Sequence, residues 1–87
     1  MRAVIFRNNY QWTIWKNKVF TDLDSIYNEY QYFQKTLPHP ARDYEMSKEH
    51  IQQWLEQPNS ASLFEDTRMV GEDYGDADWF MVAVDVV

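Results

Sequence analysis

At 87 residues the chain is long enough for one domain with one hydrophobic core, and it reads as a single compact acidic α+β domain over 1–87. It has no cysteine, which excludes a disulfide framework, a thiolate metal site and a thiol nucleophile. Fourteen Asp and Glu against eight Lys and Arg give a formal net charge of -6, which disfavours direct nucleic-acid binding and suits a protein partner with a basic surface.

Met1 to Phe6 reads as a short, mostly apolar first strand. Arg7-Asn8-Asn9 stops the apolar run well short of a membrane span or signal-peptide core, so the expected setting is cytoplasmic, without membrane contact. Asn8-Asn9 suits a turn and predicts a hairpin to a second strand, Tyr10 to Trp15, with Tyr10, Trp12 and Ile14 on one face. Lys16-Asn17-Lys18 marks another turn, after which Val19-Phe20 extends briefly.

Thr21 is the expected N-cap of a first helix, with Asp24 three residues on as the capping-box acid and Asp22 beside it in the favourable field of the helix N-terminus. Leu23, Ile26, Tyr27, Tyr30, Phe33 and Leu37 recur at helical spacing and form one apolar stripe. Tyr32 falls on the opposite side with Asn28, Gln31 and Lys35, either as an ordinary surface ring or as an interface anchor. Pro38-His39-Pro40 ends this helix and starts a loop. Ser47 caps a short second helix with Ile51, Trp54 and Leu55 on its buried side, Met46 stapled to Ile51, and an end near Gln57-Pro58.

Ala61 to Val70 has the alternation of a strand, disturbed at Glu65. Gly71 to Asp78 is the most polar stretch and holds both glycines, as a hairpin loop would. Trp79 to Val87 is the most apolar run. Only Asp85 is polar, so a central strand with neighbours on both sides is expected, because an open edge of this composition would invite aggregation. The predicted order is β-β-α-α-β-β, a small four-stranded, mainly antiparallel sheet with two helices packed on one face.

Reaction chemistry finds little support. Asp73, Asp76 and Asp78 could offer hard oxygen ligands, but their spacing departs from the EF-hand pattern, and no metal or cofactor is assigned. His39 lies between prolines and His50 in the first turn of the second helix, so neither joins a ligand triplet. The serines sit outside any nucleophile elbow, and Gly71 and Gly75 match no phosphate-binding loop. Aromatics near lysines, as in Tyr10, Trp15, Lys16 and Lys18, give a faint base-stacking pattern that the acidic total opposes.

Charge and spare aromatic rings carry the functional expectation. Residues 1–20 hold four basic residues and no acid, whereas 59–87 hold seven acids against Arg68 alone. The sequence therefore reads as a non-enzymatic protein-binding module. Asp22, Asp24, Glu29, Glu72, Asp73, Asp76 and Asp78 would supply an acidic field, with Tyr32 and Tyr74 as anchors. In its most concrete form it is an acidic inhibitor that competes with nucleic acid for the basic groove of a DNA- or RNA-binding protein. The alternatives are a homo-oligomeric assembly component, including a homodimer, and a small-ligand binder or unrecognised enzyme.

Overall fold

The computed structural model describes residues 1–8, 13–37, 39–40, 46–57, 66–72 and 78–85. Among the described residues, three longer strands and one two-residue strand form the sheet. β1 (Ala3–Asn8) and β3 (Thr67–Glu72) flank β4 (Asp78–Val84), and both pairings are antiparallel. A two-residue element, β2 (His39–Pro40), pairs with Glu72 and Gly71 at the outer edge of β3, giving the order β1-β4-β3-β2. The last strand is thus central, as its composition requires. Trp79, Met81 and Ala83 turn toward the helices, with Met81 and Ala83 buried, while Phe80, Val82 and Val84 are half-buried on the other face.

Helix α1 (Leu23–Thr36) buries Ile26, Tyr30 and Phe33, and helix α2 (Lys48–Glu56) buries Ile51, Trp54 and Leu55. These side chains meet Val4, Phe6, Val70 and Met81 in one cluster, so both helices lie on the same face of the sheet. The caps follow from local chemistry. Ser47 Oγ accepts the His50 N–H at 3.2 Å, as expected of a serine N-cap. In α1 the cap is Asp22, one residue beyond Thr21. Its Oδ2 takes the Ser25 N–H at 3.0 Å and the Ser25 hydroxyl at 3.2 Å, and a carboxylate is the stronger acceptor at the positive end of a helix.

Of the expected four strands, three are found among the described residues, joined by the two-residue β2 where a loop is expected. Trp15–Asn17, the end of the predicted second strand and the start of the next turn, forms a tight helical turn, while residues 10–12 lie outside the described residues. Lys16 and Asn17 have φ of 57° and 51°, a left-handed conformation that a strand cannot continue through. What survives of the hairpin is a broken edge contact. Ile14 bridges Arg7, Thr13 accepts the Asn8 N–H at 2.8 Å, and Phe20 exchanges backbone bonds with Val4 at 2.8 and 2.9 Å. Three steps along β1 are matched by six along the returning segment, and the left-handed turn absorbs the excess. The later strand is displaced as well. Asp66 is helical and β3 begins at Thr67, running through Gly71 to Glu72, with a register shift between Met69 and Gly71. The earlier part of the predicted strand, 61–65, lies outside the described residues.

Arg2 ties the end of α2 to the sheet. Its N–H donates to the Leu55 carbonyl at 2.9 Å and its guanidinium to the Trp54 carbonyl at 2.8 Å, satisfying acceptors that a helix C-terminus leaves open. The same guanidinium pairs with Asp66 and lies 5.9 Å from the Trp54 ring centroid. Here the basic N-terminal stretch neutralises part of the acidic C-terminal third.

Candidate functional site

The sequence separates the apolar stripe of α1 from Tyr32, and the helix keeps them apart. Phe33 is buried, while Tyr32 is 47% exposed on the adjoining surface. The left-handed turn then swings Trp15 against this helix. The Trp15 ring lies 5.8 Å from Tyr32 in a stacked arrangement, 5.3 Å from Phe33 edge to face, and 5.8 Å from Trp79 edge to face. Trp79 in turn lies 5.2 Å from Phe33. A run of rings therefore leads from the core to the surface, ending at Tyr32, with exposed Ile14 beside Trp15 in sequence.

Glu29 fixes this arrangement. One turn before Phe33 on α1, its Oε1 accepts the Trp15 indole N–H at 2.7 Å and the Lys16 ammonium at 3.0 Å. Partial burial raises the carboxyl, but the hydrogen bonds from Trp15 and Lys16 and the charges of Lys16 and Lys18 outweigh it and hold Glu29 below the usual glutamate range. Lys16 also lies 5.7 Å from the Trp15 ring centroid, and Lys18 5.0 Å from that of Phe20.

The anticipated acidic field divides when its residues are placed. Asp22 caps α1, Asp24 pairs with Lys48 from α2, and Glu29 clasps the turn, so all three helix carboxylates have internal partners. The Asp24 hydrogen bond also raises the Lys48 ammonium above its usual range. Glu72 and Asp78 are backbone register partners where β3 meets β4. His39 is opposite Glu72 in the register. Asp73, Tyr74 and Asp76 lie outside the described residues. Among the described residues no three His, Asp or Glu side chains are grouped to hold a metal ion, and no helix is long and apolar enough to cross a membrane.

The register places Trp79, the ring that reaches Trp15, between β1 and β3. Trp79, which reaches Trp15, follows Asp78 in β4 and pairs with Asn8 and Gly71. The exposed Tyr32 ring is thus linked through Trp15 to Trp79 on the helix-facing side of β4. Sequence reasoning identified Tyr32 but took Ile14 and Trp15 as strand residues. The signal that could have corrected this was Lys16-Asn17, because asparagine tolerates a left-handed turn and a turn there carries Trp15 out of a strand.

The fold and site define a small α+β domain with an aromatic cluster that reaches the surface at Tyr32. Comparison with known protein families, curated proteins and solved structures found no match.

Proposed function

We propose that the chain is a non-enzymatic protein-binding module whose contact surface is the end of the molecule bearing Tyr32, Trp15 and Asp78. The observation that carries this reading is the pinned aromatic cluster. Tyr32 remains 47% exposed although stacked on Trp15, which enters a left-handed turn and whose indole N–H is accepted by Glu29. An exposed, preorganised ring on a chain of net charge -6 suits an interface in which the ring anchors and the overall charge steers. The narrower reading, an acidic competitor of nucleic acid on a basic groove, rests on Glu72, Asp73, Asp76 and Asp78 rather than on the helix carboxylates, which already have partners.

Affinity capture from native lysate at low and high salt, with wild-type protein, Tyr32→Ala and Asp78→Lys, tests the proposal. The expected result is one protein retained stoichiometrically at low salt, released by salt, and lost with Tyr32→Ala while the circular dichroism spectrum is kept. Retention of the same proteins by wild type and both variants, or of none, would overturn it.

The sheet face away from the helices favours self-association as a second reading. Ile5, Met69, Phe80, Val82 and Val84 are half-buried there with no described helix over them. Light scattering decides this reading, since a 10.6 kDa species at every concentration would remove it.

A further inference from the structure

We propose that the segment of the partner protein that lands on Tyr32 is acidic, its carboxylates meeting Lys16 and Lys35, an inference that rests on the protein-binding reading above. Tyr32 is 47% exposed, and Trp15 stacks on it at 5.8 Å with 27° between planes. Lys16 lies 5.7 Å from the Trp15 ring centroid, so its ammonium borders the stacked pair. It is 3.0 Å from Glu29, and its 55% exposed side chain leaves donors for a second acceptor. Lys35 is exposed three residues beyond Tyr32 on α1, where the helix makes the two side chains surface neighbours. Lys18, exposed beyond the same turn, adds a third positive charge within reach of Glu29.

Local charge here opposes the overall sign. The net charge of -6 acts on approach, but salt screens charges over about 8 Å, so the groups beside the ring choose what touches it. Glu29 is already engaged by Trp15 and Lys16. Asp22 and Asp24 have partners of their own and lie about 15 and 12 Å along the helix from Tyr32. Asp78 shares its strand face with Phe80, away from the helices. A second observation favours a polypeptide over a nucleic acid. Ile14 and Val19, on either side of the turn, are 36% and 49% exposed, and such aliphatic groups suit the apolar side chains of a peptide rather than a phosphate backbone. The dense charge of a nucleic acid would also meet the acidic total along its whole length.

The test uses three labelled peptides of equal length in which Leu alternates with Glu, Lys or Gln, with a single-stranded oligonucleotide as a fourth probe. Anisotropy at low and high salt gives affinity, and backbone and indole N–H resonances locate binding. The expected result is that the Glu peptide shifts the Tyr32, Trp15 indole, Lys16 and Lys35 signals, binds there more tightly than the Gln peptide, and loses that advantage in salt. The Lys peptide should leave those signals in place. Lys35→Gln should weaken the Glu peptide about 2-fold and Lys35→Glu about 5-fold. Tyr32→Ala should weaken the Glu and Gln peptides alike. Equal shifts by the Lys peptide, shifts confined to another surface, indifference to Lys35→Glu, or tighter binding of the oligonucleotide at Tyr32 would overturn the proposal. If the peptides fail while Tyr32→Ala still abolishes capture of a cellular protein, the acidic assignment falls and the protein-binding reading stands. If both fail, the reading falls as well.

Discussion

Two corners of this protein use the same three kinds of group, a cation, an indole and a carboxylate, with opposite results. At one, Arg2 is 7% exposed, lies over Trp54 and pairs with Asp66, and its guanidinium also holds the last turn of α2. At the other, Lys16 lies over Trp15 and pairs with Glu29, but the Lys16 side chain is 55% exposed. The difference teaches that location decides what such a group does. In the sealed corner, removing one partner leaves polar groups buried without water, so the arrangement is a latch. In the open corner only the cation is well solvated, Glu29 being 15% exposed against 19% for Asp66, so losing the Lys16 ammonium costs little while Tyr32 stays exposed.

Substitutions can break this contrast, starting with the largest effect. Trp54→Ala should cost about 3 to 5 kcal/mol by chemical denaturation, because a buried indole leaves a cavity and releases Arg2. Arg2→Ala should follow at about 3 kcal/mol through the orphaned Asp66 and the lost guanidinium bond to the Trp54 carbonyl. If either proves nearly silent, the sealed corner is no latch. Trp15→Ala in the open corner should cost about 2 kcal/mol, from loss of its ring contacts and partial burial. Lys16→Ala should change stability by only a few tenths of a kcal/mol. A larger loss would mean that the open corner is structural after all.

Glu29 sharpens the comparison through pH. Its folded-state carboxyl titrates below the usual range, so the unfolded chain takes up its proton first. The stability it contributes is therefore present above the ordinary glutamate value and is lost as pH falls through the lowered one. Glu29→Gln should flatten this part of the acid limb of the denaturation profile. An unchanged limb would detach Glu29 from the turn.

Much of this fold is legible in the residues themselves. The apolar stripe of α1, the serine cap of α2 and the two-sided apolar run of β4 are each set by local spacing and composition. The surface position of Tyr32 follows from the same helical period. The left-handed turn is less legible, because Tyr10 to Trp15 has the alternation of a strand and no glycine announces the break. Its conformation depends on Glu29, fourteen residues beyond Trp15, supplying an acceptor for the indole. The functional weight of the acidic residues was also hidden, since Asp22, Asp24 and Glu29 look equally free in a linear sequence and differ only in what folding brings to them.

The sequence by itself therefore determined the α+β class, the helix faces and the central position of the last strand. Periodicity and composition act over a few residues, and a nearly all-apolar strand needs neighbours on both sides. Tertiary structure alone decided that the first basic residue becomes a latch and the third a surface cation. It also decided that Tyr32, Trp15 and Trp79 come together. These outcomes depend on contacts between distant segments, whose burial sets whether the same pair of charges is held by protein or by water.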